Sequence, residues 1–305
     1  MSYKLGQIPS CNATQSEIAD FIEYQCLKSE ENVYSSVSGK SAMGISYDED
    51  NKDEDEFSEV YEALAVIDDR YAFSGGHYPF IADVNSVRVR DDIDSKVKDV
   101  YTFLLLATRE NMSSGKNAED IDGTVLFEKL CASVLRNYFG KSCRSFVFGT
   151  GSDDNVSFAC KVQKMLDMLG EGKLMYRMPD NDTNHHKDGT LDVVVFIPFA
   201  DSRKGQFIAF GQCKTGTNWR SSVSQLNPKV FCESFCNPVP GFTPIAVFMV
   251  TEAFAENWEY LLRSTNGLLF DRSRIMQYLP SEIEDSLLEQ IRKWNAAVMC
   301  KYSND

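Results

Sequence analysis

Seven residues, Leu191-Asp192-Val193-Val194-Val195-Phe196-Ile197, constrain this chain more than any other segment. A short, β-branched and nearly continuous apolar run is how a strand buried on both faces reads. Such a strand needs helices on either side of its sheet, which points to an α/β fold. Two further runs, Gln206 to Lys214 and Thr243 to Thr251, have the same character. Helical periodicity surrounds all three, so the expected architecture is a central mixed β-sheet flanked by helices, with a mainly helical N-terminal region.

Along the 305 residues the pattern changes once. Ile18, Phe21, Ile22 and Leu27 form a helical stripe, as do Val60, Leu64 and Ile67; Val97, Val100, Tyr101, Leu104 and Leu105 mark a longer helix over 95–111. Ser74 to Pro79 reads as a loop. Ser113 to Lys116 is the expected boundary, dividing a helical region 1–115 from an α/β domain 116–305. In the second part helices are expected over 122–138, 156–169, 218–228, 256–263, 271–279 and 281–297, with a short strand at 145–148. No apolar run approaches the roughly 18 residues of a membrane span, and Met1 to Pro9 lacks the apolar stretch of a secretory signal. Nine cysteines without framework spacing read as reduced thiols, and the expected location is the cytoplasm.

A net charge of −14 argues against a polyanion partner until its distribution is followed. From Asp48 to Glu59 eight acids face one Lys, a local −7, which holds half the excess and reads as a solvated loop. Residues 201–250 carry five bases against two acids, a local +3, so whole-chain charge excludes nothing at that segment.

Asp192 lies in an otherwise apolar strand, where a lone carboxylate costs several kcal/mol unless a partner or a cation meets it. Gln212 and Lys214 lie two apart on the next strand and share a face, with Cys213 turned to the other. A short connection at Phe199–Gly205 lets the two strands pair as a hairpin, which gathers Asp192, Gln212 and Lys214 at one edge. Glu128 falls on the apolar stripe of its helix, beside Val125, Cys131, Ala132 and Leu135. Carboxylate, amide and backbone carbonyl oxygens suit Mg²⁺ or Mn²⁺, and a lysine beside such a metal offsets charge on a pentacoordinate phosphate. Each of the four keeps two readings: Asp192 as a metal ligand or as a strand-end carboxylate capping a loop, Lys214 as a catalytic cation or as a lysine snorkelling at a strand end, Gln212 as a ligand or as a buried amide bonding neighbouring backbone, and Glu128 as a site acid or as a carboxylate at the stripe's edge.

Asp188-Gly189-Thr190-Leu191-Asp192 followed by Gly211-Gln212-Cys213-Lys214 resembles the PD-(D/E)xK nuclease superfamily, specifically its Q-x-K branch of Mrr-type restriction endonucleases and anti-phage nuclease modules. The resemblance covers about 120–250, with Thr190 in place of a second glycine. It implies a restriction-endonuclease-like core and a metal-dependent endonuclease acting on DNA, in bacterial defence or restriction. Asp192 takes the metal Asp, Gln212 the substituted acid, Lys214 the catalytic lysine and Glu128 the acid of the preceding helix. The implied metal set is Asp192, Gln212, the Cys213 backbone carbonyl and Glu128, the last through water. The partners expected with it are nucleic acid and either a second copy or a helicase- or ATPase-like protein, with no membrane. The competing reading is a nuclease-derived fold serving as a binding or regulatory subunit.

Several motifs are set aside. Gly39-Lys40-Ser41 mimics a phosphate loop, but position 34, where its first glycine belongs, is Tyr34. Cys232 and Cys236 have no second pair and read as buried thiols. His185, His186, Asp180 and Asp182 sit in a polar loop. Asp271 reads as a helix cap, with Arg272 and Arg274 open to a phosphate or a partner. Trp219 reads as core or as a stacking surface beside Arg220.

Overall fold

The computed structural model describes residues 9, 12–35, 54–84, 86–109, 117–148, 156–171, 175–176, 190–201 and 203–303. The N-terminal part holds α1 (Gln15–Lys28), β1 (Val33–Ser35), α2 (Glu54–Phe73), β2 (Phe80–Asp83), β3 (Ser86–Val89) and α3 (Ser95–Arg109). Thr14 and Glu17 close a capping box that starts α1. After them come β4 (Asn117–Ala118), β5 (Ile121–Asp122), α4 (Gly123–Phe139), β6 (Arg144–Val147), α5 (Phe158–Leu169) and β7 (Met175–Tyr176). The remainder is β8 (Val193–Ile197), β9 (Phe207–Lys214), a 3₁₀ turn (Asn218–Ser222), α6 (Pro228–Phe235), β10 (Cys236–Asn237), β11 (Ile245–Val250), α7 (Trp258–Thr265), β12 (Gly267–Phe270), α8 (Arg272–Gln277) and α9 (Asp285–Ser303).

The main sheet has the order β12-β11-β9-β8-β6. Its β6, β8 and β9 run antiparallel in turn, while β9, β11 and β12 are parallel, so the sheet is mixed. Side chains alternate across β8 as expected for a strand covered on both faces. Val193 and Val195 join a core with α1, α3, α4 and α9, whereas Val194 and Phe196 join another with α5 and α6. A smaller cluster unites Trp219, Phe248, Val250 and Leu261. The fold is α/β, with a mixed central sheet flanked by helices. Among the described residues no helix is long and apolar enough to cross a membrane.

The N-terminal region is mainly helical, as expected, and adds a small antiparallel sheet of β1, β3 and β2, strands too short to give a periodic signal. Two expectations need correction. The acidic run is not all loop, since residues 54–59 of it open α2; residues 48–53 lie outside the described set. The helix expected at 218–228 is a 3₁₀ turn, and the α-helix starts at Pro228, capped by the Asn227 side chain, which accepts from Val230 N. The expected boundary at 113–116 also lies outside the described residues. Ile18, Leu104, Leu130, Val193 and Val298, drawn from both sides of it, share one core.

A buried ionic cluster ties the first helix to the last third of the chain. Asp20 of α1 meets Arg272 at 2.8 Å, Arg70 at 2.9 Å and Arg109 at 2.6 Å. Glu23, one turn on, accepts hydrogen bonds from Tyr78 (2.6 Å), Tyr101 (2.8 Å) and Arg70. Burial pushes the Asp20 carboxyl up, but the Arg272, Arg109 and Arg70 guanidiniums overcome it and hold the acid well below the usual carboxylate range. Arg272 is fully buried here, so it is not open to a phosphate or a partner. Asp271 does cap α8, accepting from Arg274 N.

Candidate functional site

The expected hairpin is present. β8 and β9 pair antiparallel from Val193 opposite Gly211 to Ile197 opposite Phe207, and that register, carried one step on, sets Asp192 across from Gln212. Asp192 stands just before the strand, after Thr190 at φ 61°. Its backbone is held from both sides: Phe148 N–H donates to its carbonyl at 2.7 Å, and its own N–H donates to Gly211 O at 2.9 Å. Its carboxylate Oδ2 accepts from Cys213 N–H at 2.7 Å, which orients the acid against the strand that carries Gln212 and Lys214.

α4 closes over this strand pair at Gly211. A Cβ there would meet Val193 Cβ at 3.3 Å and Leu135 Cδ1 at 3.7 Å, so a larger residue would hold the helix off. Asp122 caps α4 at its start, accepting from Thr124 N, and Gly140 ends it. Along the inward stripe, Glu128 and Cys131 lie one turn apart. Glu128 is 7% exposed, so its side chain faces inward and is not on the helix surface.

Cys213 faces Cys131 of α4 and shares a hydrogen bond with it. Burial raises the pKa of both thiols; the negative charges of Asp192 and Glu128 raise it further. Both thiols therefore stay protonated at neutral pH and are poor nucleophiles and poor metal ligands. Both carboxylates thus lie near enough to act on this thiol pair.

Gln212 is fully buried on the other face of β9. Its Nε2 reaches Gln225 Oε1 at 3.5 Å, a long contact, while its Oε1 has no hydrogen-bond partner among the described residues. A buried carbonyl without a donor costs about 1–3 kcal/mol unless something else satisfies it. Lys214 ends β9 half-buried, beside Val250 in the parallel register, and its carbonyl accepts from Thr251 N. No described carboxylate lies within ion-pairing distance of its ammonium.

By donor type these groups suit a hard divalent cation, although Gln212 lies on the opposite face of β9 from the Cys131–Cys213 pair near the two carboxylates. Two carboxylates, an amide oxygen awaiting a partner and a backbone carbonyl are oxygen ligands of the kind Mg²⁺ and Mn²⁺ prefer. Among the described residues no three His, Cys, Asp or Glu side chains gather into a metal cluster, so neutral oxygens would have to complete the shell.

The motifs set aside behave mostly as read. Cys232 and Cys236 are buried and hydrogen-bonded to each other. Trp219 is core: its Nε1 donates to Glu252 at 2.6 Å. Arg220 lies over the Trp219 ring and forks onto Glu252 through two 3.0 Å bonds, so the pair braces the turn after Lys214 instead of offering a stacking surface. Gly39 to Ser41, Asp180, Asp182, His185, His186, Asp188 and Gly189 lie outside the described residues.

Sequence reasoning missed the Asp20–Glu23 cluster, although its signal was the one that picked out Asp192. Asp20 and Glu23 sit among Ile18, Ala19, Phe21, Ile22 and Tyr24, charges on an apolar stretch. No protein-family model, curated protein or solved structure matches this chain.

Proposed function

We propose that this chain is a metal-dependent nuclease that hydrolyses phosphodiester bonds in DNA, in the cytoplasm, as part of bacterial anti-phage defence or restriction. The observation that carries the reading is the buried Gln212 Oε1 without a donor, across the register from Asp192 and two residues from Lys214. The order of helix acid, strand-start Asp192 and strand-end Gln212-Cys213-Lys214 is that of the Q-x-K nucleases this sequence resembles.

Asp192, Gln212 Oε1, the Cys213 carbonyl and Glu128 would hold Mg²⁺ or Mn²⁺. When bound, the cation supplies a Lewis acid for the phosphate and lowers the pKa of water beside it. The chain's own groups do the rest. The Cys213 N–H fixes the Asp192 carboxylate, and the bonds from Phe148 and to Gly211 fix its backbone, so the acid needs no reorganisation. Lys214, without a competing carboxylate among the described residues, places a positive charge where the attacked phosphate gains negative charge, and orients the water for in-line attack. Restraint of such a site is assigned to a second copy or to a helicase- or ATPase-like partner.

Calorimetric titration with Mn²⁺ tests the metal assignment. The parent binds, and Asp192→Ala loses that binding with its circular dichroism unchanged; undiminished binding in the variant overturns the assignment.

A further inference from the structure

Resting on the nuclease reading, a second surface identifies where the substrate strand lies. An open groove of about 990 Å³ runs along β6, between α4 and the segment before α9. A smaller hollow, sharing Ser133, Arg136 and Phe146 with it, continues it to Lys129 and Val147. β6 is an edge of the main sheet, so this groove is bounded on one side by an unpaired strand.

Its charge is what sets it apart. Arg136, Lys141 and Arg144 are exposed in it. None lies within ion-pairing distance of a described carboxylate, although Glu282 lines the same groove and Glu284 the hollow that continues it. Elsewhere on this acidic chain Arg88, Arg90, Arg220, Arg263, Arg292 and Lys293 are paired, and the exposed Lys28, Lys164 and Lys204, which have no described ion pair, do not line this groove. Three uncommitted cations in one concavity, on a protein of net charge −14, form a local field of the wrong sign for the whole and the right sign for a polyanion. Hydroxyls of Ser133 and Ser145 suit phosphate oxygens, and the half-buried Phe146 offers an aromatic ring to a base.

Along the chain the smaller hollow comes within one or two residues of the candidate site, although Glu128, Asp192, Gln212 and Lys214 line neither hollow. Lys129 follows Glu128 on α4, and Val147 precedes Phe148, whose amide bonds the Asp192 carbonyl. From Lys129 to Arg136 the helix rises about 10 Å, roughly three phosphates at the spacing of a nucleic acid strand. We propose that the groove lined by Arg136, Lys141 and Arg144 seats the phosphate backbone of the strand being cut and delivers it to Asp192 and Lys214. An acidic peptide fits the charge, but makes no use of the aromatic ring of Phe146.

The test compares the full-length parent with Arg136→Gln/Lys141→Gln/Arg144→Gln. A control, Lys204→Gln/Lys229→Gln/Arg263→Gln, makes the same change in net charge on exposed residues outside the groove. The probes are a fluorescent single-stranded 20-mer DNA, its duplex, and a polyglutamate peptide, each titrated from about 50 to 200 mM salt. The groove variant should bind DNA at least tenfold more weakly at low salt, regardless of sequence. Its log Kd against log salt slope should be shallower by about 2, three phosphates at about 0.7 each. The control should keep the parent's slope. Cleavage that depends on Lys214, with DNA binding unchanged in the groove variant, overturns the groove and leaves the nuclease reading standing. Groove-dependent DNA binding without any Lys214-dependent cleavage does the reverse. Groove-dependent capture of polyglutamate with no DNA binding overturns the proposal in favour of a protein partner.

Discussion

Replacing Asp20 by Asn should be among the most costly single changes in this protein. The side chain is fully buried and lies 2.6 to 2.9 Å from three guanidiniums, those of Arg109, Arg272 and Arg70. Asparagine keeps the shape and removes the charge, leaving three buried cations to Glu23 and, at the rim, to Glu17. Stranding buried charge in this way costs about 3–5 kcal/mol. For a chain of this length that lowers Tm by about 6–20 °C. The effect must also depend on pH in one direction. Asp20 has its pKa depressed by folding, so its contribution is complete above the ordinary carboxylate value near 3.8 and is lost as pH falls through the folded value. The stability gap between parent and Asp20→Asn is therefore flat from pH 8 to 5 and narrows only in stronger acid. Urea unfolding at a series of pH values measures it. A gap below about 1 kcal/mol at pH 7, or one that widens on acidification, refutes the cluster as a structural tie.

Gly267→Ala should unfold the sheet edge, because an added Cβ would sit 2.0 Å from Ala246 O and 2.7 Å from its carbonyl carbon; a loss of about 3 kcal/mol or more is expected, and a parent-like Tm refutes the β11–β12 register. Gln212→Glu adds a charged oxygen in nearly the same shape and should tighten Mn²⁺ in calorimetry while retaining cleavage; weaker binding would place the side chain outside the metal shell.

Sheet and site differ in how plainly the sequence announces them. The three buried strands were legible because each alternates side chains into two apolar clusters, leaving a near-continuous apolar run. Asp192 stood out as a charge in that run, and Gln212 and Lys214 followed from period-two spacing. β12 was not legible: Gly267-Leu268-Leu269-Phe270 is only four residues long and becomes a strand by pairing beside β11, a tertiary cause. The Arg70–Asp20–Arg272 contacts join residues up to 252 positions apart, which periodicity cannot report. The groove was invisible for a similar reason. Arg136, Lys141 and Arg144 look like ordinary surface cations until the fold shows that no described carboxylate reaches them.

The central claim is that Lys214 supplies positive charge to a metal-assisted hydrolysis, and single-turnover cleavage of DNA with Mn²⁺ tests it most directly. Lys214→Gln should bind Mn²⁺ and DNA like the parent and cleave slower by a factor on the order of a hundred or more, a few kcal/mol of transition-state stabilisation. Cleavage by Lys214→Gln at the parent's rate would contradict the account and reduce the strand pair to a structural element.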